Sequence, residues 1–235
     1  MASADPTDQT TFAARSVPRM QQGAAELSWL LARGYADAAA LTLVGDHHQL
    51  TRRQRMAVLR AACPEPQRRA RAARRVAALG GQPLAVDGFN QLVTTERALA
   101  GGAVFRGRDG ALRDVAGVHG TWRRSERTAD ALARLVAAAV QLGAGPVTWV
   151  LDAPVSNSGR LAGLLRERDP SAEVRVVDRA DAELLVLAEA GCALATADAA
   201  LLDRCGAWLS LTELALPAEA WIVELGGAPL DTEPG

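Results

Sequence analysis

Lysine is absent, and all 26 basic residues of the chain are arginine. Alanine is abundant as well, so the arginine content reads as a coding bias and is not by itself a sign of phosphate binding. Cysteine is confined to Cys63, Cys192 and Cys205, an odd number without CxxC spacing, which argues against a disulfide framework and a zinc knuckle. Cys192 lies in an apolar run and is expected in a strand core. Aromatic residues make up 4% of the chain, which leaves little for base stacking. No apolar run approaches the ~20 residues that a membrane helix needs, and Met1 to Thr11 has neither a basic leader nor an apolar stretch. The expectation is a cytoplasmic protein without membrane contact. Nothing in the sequence specifies an oligomeric state.

What is present is organised in two styles. The net charge of −1 hides arginines crowded into the first third and carboxylates gathered later. After an irregular segment, 1–23, helical spacing of Leu27, Leu30 and Leu31 predicts a helix from Ala24 to Arg33. Ala36 to Val44 and a helix capped by Thr51 follow, then another from about Pro66 to Leu79. Residues 24–82 thus read as a small arginine-rich helical module. Residues 83–228 read as an α/β domain, because short apolar runs alternate with helices. Those runs are Leu84–Val86, Val147–Leu151, Val174–Val177 and Cys192–Thr196. Ala103 to Arg113 predicts a β-hairpin insertion, Ser125 to Leu142 a long covering helix, and 229–235 a frayed tail.

Aspartates recur at comparable places in this pattern. Asp87 follows the first apolar run, Asp152 the second and Asp198 the fourth, while Asp181 opens a helix. In an open parallel sheet, residues just past the strand ends line the ligand crevice. Packed carboxylates repel one another and raise one another's pKa, so a cluster of this kind calls for a cation. Oxygen ligands favour Mg2+ or Mn2+, which also bind phosphate oxygens and serve metal-assisted hydrolysis. The competing reading is structural: Asp181 and Asp198 suit helix N-caps and Asp152 a turn before Pro154, whereas Asp87 has no evident cap role.

The segments Val86-Asp87-Gly88-Phe89-Asn90 and Thr196-Ala197-Asp198-Ala199-Ala200-Leu201-Leu202 resemble the PIN-like nuclease superfamily, including its NYN branch. The resemblance implies a PIN-like parallel-sheet domain with Asp87, Asp152, Asp181 and Asp198 as catalytic metal ligands, and RNA rather than DNA as substrate. From roughly Ala24 to Asp203 the chain also resembles a prokaryotic family labelled domain of unknown function 434. In its helical part, Val44-Gly45-Asp46-His47-His48-Gln49-Leu50-Thr51-Arg52-Arg53-Gln54-Arg55 carries that likeness.

Other residues join the candidate site. Asn90, together with Ser156, Asn157, Ser158 and Arg160 before an apolar helix, is expected to face substrate, since helix N-termini attract anions, with a plain Ser/Asn helix cap as the other reading of the Ser156–Arg160 loop. His119, between glycines, suits a ligand-facing loop or a structural role in closing the hairpin. Glu96 reads as a solvated helix residue, with a spare acid as the other possibility. Arg52, Arg53 and Arg55 lead a basic face that predicts either nucleic-acid contact or a plain solvated surface. His47 and His48 are adjacent, lack the i,i+4 spacing of a helical metal site, and read as turn residues. Three functions remain open: a metal-dependent nuclease, a catalytically silent nucleic-acid or nucleotide-binding protein, and a small-molecule phosphohydrolase.

Overall fold

The computed structural model describes residues 6–115 and 121–227. In chain order it contains α1 (Asp8–Thr11), a 3-10 turn (Ala14–Ser16), α2 (Val17–Leu31), α3 (Asp37–His47), α4 (Arg52–Ala61) and α5 (Glu65–Arg74). There follow β1 (Leu84–Asp87), α6 (Gly88–Leu99), β2 (Val104–Arg106), β3 (Leu112–Arg113), α7 (Thr128–Gln141), β4 (Val147–Asp152) and α8 (Ser158–Arg168). The chain continues through β5 (Glu173–Val177), α9 (Ala180–Glu189), β6 (Ala193–Ala195), α10 (Ala199–Arg204), β7 (Trp208–Leu209), α11 (Leu211–Ala215) and β8 (Ile222–Glu224). No helix among the described residues is long and apolar enough to cross a membrane.

One compact unit comprises the described parts of Arg74–Gly101 and Ala116–Ala220. Its sheet runs β5-β4-β1-β6-β7, and every pairing is parallel. The apolar runs that announce these strands are short and nearly unbroken, as expected where a parallel sheet is covered on both faces. Leu84 and Val86 of β1 join Trp149 and Leu151 of β4, and with them Phe89, Leu92, Leu135 and Leu161 from α6, α7 and α8 form the main core. Helix α9 crosses β4 and β1 on the opposite face, returning the chain from the β5 edge to β6.

The other unit comprises the described parts of Ala4–Ala73, Gly102–Val115 and Trp221–Gly235. Phe12, Met20, Leu27, Val44, Val58, Phe105 and Val223 share its core. The hairpin forms as expected, with β2 and β3 antiparallel, but it belongs to this unit rather than being an insertion in the α/β domain: β2 also pairs in parallel with β8. Among the described residues of the segment expected to be irregular before Ala24, Asp8–Thr11 and Val17 onward are instead α-helical, since Pro18 suits the first turn of α2 and the side chains of Phe12 and Met20 are buried. Helix α5 stops at Arg74, short of the expected Leu79, because the next backbone groups turn to β7; the Val76 N–H donates to Trp208 O at 2.9 Å. Thr51 caps α4 as expected, with a reciprocal capping box to Gln54.

Asp109 gathers several polar groups inside this unit. The hairpin carboxylate accepts from Arg113 Nη1 (2.8 Å) and Nη2 (2.7 Å), from Arg71 Nη1 on α5 (2.6 Å), and from the Ala111 N–H (3.1 Å). Both guanidinium groups and the carboxylate are buried, so each needs the others. Asp109→Ala should therefore lower unfolding stability by about 3–5 kcal/mol in denaturant titration. A loss below about 1 kcal/mol, the range of surface ion pairs, would show that the clasp is solvated.

Candidate functional site

In the five-stranded sheet the chain moves outward from β1 to β4 and β5, then resumes on the other side of β1 with β6 and β7. The order therefore reverses between β1 and β6, and the crevice beyond their C-terminal ends is the place where open α/β sheets bind ligands. Asp87 is the last residue of β1, and Thr196 to Asp198 follow β6 immediately. The two segments are hydrogen-bonded: Thr196 Oγ1 donates to Asp87 Oδ2 at 2.9 Å, and the Ala197 N–H donates to Asn90 Oδ1 at 2.9 Å. Gly88 makes the strand-to-helix junction tight. A Cβ there would lie 2.5 Å from Leu151 Cδ2 and 3.1 Å from the Val150 carbonyl oxygen, so only glycine lets β1 turn into α6 against β4.

All four predicted aspartates lie in this unit, at strand ends or helix starts, but they play different local roles. Asp87 does have a cap role, contrary to expectation: it is the N-cap of α6, and its Oδ1 accepts from the Asn90 N–H at 3.4 Å. Asp198 caps α10, accepting from the N–H groups of Ala200 (2.8 Å) and Leu201 (3.1 Å). Asp152 reaches from the end of β4 to the start of α9, where its Oδ1 accepts from the Ala180 N–H at 3.1 Å. Asp181 sits in the first turn of α9, behind the cap residue Arg179, which makes no side-chain cap bond. A capping role thus fails for Asp181 and holds for Asp198.

Charge links these carboxylates. Burial pushes the Asp87 carboxyl up from its ordinary 3.8 to about 7, the Thr196 and Asn90 hydrogen bonds oppose the rise, and the charges of Asp181 and Asp198 add to it. Asp181 is also raised, by desolvation and then by Asp198 and Asp152. Such a set fits a hard divalent cation by its chemistry, since every donor is a carboxylate oxygen and a cation would relieve the repulsion. Its spacing limits how the ion is held. No three of the four carboxylates bring their oxygens within 4.8 Å of one another. Mg2+ normally takes one or two protein carboxylates and keeps several waters, so direct contact with two residues and contact through water with the rest fits the arrangement.

Several other expected site residues are engaged in holding the backbone. Asn90 Oδ1 is used by Ala197 and by Gln91 Nε2 (3.0 Å), which makes Asn90 a tie between α6 and the loop after β6. Asn157, at a left-handed φ of 69°, donates through Nδ2 to the Trp122 carbonyl at 2.8 Å, and buried Ser158 donates to the Ala153 carbonyl at 3.4 Å. Ser156 is exposed and its backbone bridges to Thr121. His119 lies outside the described residues. Of the basic trio, Arg53 pairs with Asp8, and Arg55 binds Asp46 (2.6 Å) and the Leu50 carbonyl (3.0 Å); Arg52 is exposed with no side-chain partner among the described residues.

Sequence reading missed two features of this unit. Arg123 and Arg124 join Arg160 around an open cavity of about 620 Å³, also lined by Ser125, Glu126 and Asn157. The three guanidinium groups are exposed and make no ion pair among the described residues, and the cavity lies beyond the C-terminal end of β4. A polyanion could be gripped there. Glu96, expected to be solvated, is buried and accepts from Trp122 Nε1 (3.3 Å), Ser125 Oγ (2.7 Å) and Thr128 Oγ1, so it anchors the segment that carries the two arginines. Its i, i+3 and i, i+4 neighbours Val93 and Leu92 pack on the core, a signal that Glu96 follows them inward. Cys192, placed in a strand core by its apolar run, precedes β6 and is half-exposed.

Comparison with known proteins gives two family matches. The family described as "Domain of unknown function (DUF5616)" matches residues 76–214, a span that contains all four aspartates. The family described as "Protein of unknown function (DUF434)" matches residues 19–74, so that likeness is confined to the helical part and does not run on to Asp203. An uncharacterized protein of Methanocaldococcus jannaschii is 28% identical over 145 residues, covering 61% of this chain and 69% of that protein. No solved structure matches the chain.

The raised Asp87 has a measurable consequence in metal-free protein. Its folded-state pKa lies above the unfolded value of 3.8, so between about pH 4 and pH 7 the folded chain holds more protons than the unfolded chain. Stability contributed by protonated Asp87 is full at the acidic end and is lost as the pH rises to about 7. The melting temperature of wild type should carry this decline, and Asp87→Asn should lack it. Identical pH profiles for the two proteins would show that Asp87 ionises freely.

Proposed function

The chain belongs to the family described as a domain of unknown function (DUF5616), and we propose that its α/β unit is a PIN-like, divalent-metal-dependent phosphodiester hydrolase acting on RNA. The observation that carries this reading is the gathering of carboxylates at the reversal point of the sheet, where burial, with the charges of Asp181 and Asp198 adding to it, pushes the Asp87 carboxyl up to about 7. Bound Mg2+ or Mn2+ would supply Lewis acidity and neutralise charge on a phosphodiester. Asp87 and Asp198 are the residues to hold it, because the Thr196 bridge fixes the one and a double N-cap fixes the other. Asp152 and Asp181 extend the negative field and are suited to orient water. Arg123, Arg124 and Arg160 are suited to bind the flanking phosphates of the chain being cut. RNA as the polymer follows from the resemblance of the Asp87 and Asp198 segments to PIN-like nucleases.

A second reading has its own support. Asp87, Asp152 and Asp198 all serve helix N-termini, so the acids would be retained in a catalytically silent RNA-binding protein that used the same arginines. Cleavage of single-stranded RNA by the purified chain with Mn2+ separates the two. On the nuclease reading Asp87→Asn and Asp198→Asn abolish cleavage without lowering the metal-free melting temperature, because asparagine preserves the caps. Arg123→Glu with Arg124→Glu should weaken RNA binding and flatten its dependence on salt. Wild-type protein that binds RNA with Mn2+ and leaves it intact would establish the silent reading. Turnover of nucleotides beside intact polymer would point to a small-molecule phosphohydrolase.

A further inference from the structure

The helical unit holds a second set of ligating side chains, and its chemistry differs from that of the aspartates. Helix α3 ends at His47, and His48 is its C-cap, with φ −87° and ψ 6°. Inside a helix adjacent side chains diverge by about 100°. At this terminus the two imidazoles stand edge to face, with ring centroids 4.8 Å apart and planes at 83°. Gly23 lets α2 come close to the same place. A Cβ on Gly23 would lie 3.4 Å from Val44 Cγ1, 3.4 Å from Leu50 Cδ1 and 3.7 Å from His48 Cδ2. Glu26, nearly one turn further along α2, meets His48 with its Oε2 2.7 Å from the imidazole Nε2. Among the described residues, Glu26, His47 and His48 form the one group of three whose donor atoms all lie within 4.8 Å of one another.

We propose that Glu26, His47 and His48 form a zinc site that staples α2 to the end of α3. Two imidazoles and one carboxylate make a three-ligand zinc set that leaves a fourth position for water. With Zn–N and Zn–O bonds near 2.0–2.2 Å, tetrahedral donors sit about 3.3 Å apart. Closing requires the exposed His47 ring to turn toward the other two donors and the Glu26 Oε2–His48 Nε2 pair to open from 2.7 Å to about that spacing. Two further features suit a cation. The carbonyls ending α3 place the negative end of its dipole at the site, and the nearby Arg55 is held by Asp46 and the Leu50 carbonyl. Glu26 would donate to the zinc and neutralise part of its charge in place of its present contact with His48. The site is independent of the nuclease reading, because imidazole nitrogens select zinc-like ions whereas the aspartates offer oxygens only.

The hydrogen bond between Glu26 and His48 accounts for two of the three residues and leaves His47 without a task. His47 therefore decides the matter. In calorimetric titration of the stripped full-length chain with zinc chloride, wild type should take up one equivalent and gain melting temperature as it does so. His47→Ala should leave the metal-free melting temperature unchanged, since the ring is exposed. It should weaken zinc binding by about a hundredfold or more, given that losing even an outer-sphere partner costs about 10–100-fold. Asp87→Asn should leave the zinc isotherm as in wild type, which separates this site from the aspartate cluster. Absence of zinc binding by wild type, or full affinity in His47→Ala, would overturn the proposal.

Discussion

The hydrogen bond from Thr196 to Asp87 joins the C-terminal ends of β1 and β6, the two central strands between which the direction of the chain's path reverses. Everything proposed for the α/β unit depends on that closure. It brings a carboxylate from the first strand beside a second one that arrives only after helices α6, α7, α8 and α9 and the further sheet strands β4, β5 and β6. The junction tolerates little adjustment. Gly88 seats the β1–α6 turn directly on β4, and Asn90 takes the Ala197 N–H, so a shift in either strand end would strand a buried polar group. The local geometry is held by ordinary backbone satisfaction, and the charge accumulates on top of it.

That combination explains why capping and metal binding do not exclude each other here. An N-cap aspartate uses one oxygen on the helix amides and leaves lone pairs on the other. Asp198 takes both its cap bonds through Oδ1. Asp87 divides its oxygens between the Asn90 amide and the Thr196 hydroxyl, yet burial and the neighbouring charges of Asp181 and Asp198 still push its pKa up. Two hydrogen bonds therefore do not cover the cost of desolvating the charge. A cation at the crevice would, and Arg123, Arg124 and Arg160 bring positive charge beyond the end of β4 instead of neutralising the acids through ion pairs.

Much of this was legible in the residues. Four apolar runs ending in or near acids marked β1, β4, β5 and β6, because parallel strands must be apolar on both faces, and Thr51 announced α4 through its capping box. The division into units was not legible. Pairing of β2 with β8 joins segments that flank the α/β elements in sequence, and three-residue strands carry no periodic signal of their own. Asp87 as a cap was hidden because β1 passes into α6 without a loop. Glu26 was hidden for another reason: its nearness to His48 depends on Gly23 in a neighbouring helix, and spacing along one helix cannot report contact between two. Arg53 and Arg55 illustrate the converse. They looked like a phosphate-binding face, but three-dimensional partners at Asp8 and Asp46 occupy them.

The account turns on whether Asp87 and Asp198 share one hard cation at the reversal point of the sheet. Anomalous diffraction at the manganese edge, from crystals of the chain soaked with Mn2+, reads this directly. The account predicts a single strong peak beyond the ends of β1 and β6, within coordination distance of a carboxylate oxygen of each aspartate and bridged by water to Asp152 or Asp181. Crystals that place manganese elsewhere, or that show the two carboxylates retaining their cap and threonine bonds with no ion between them at saturating Mn2+, would contradict it.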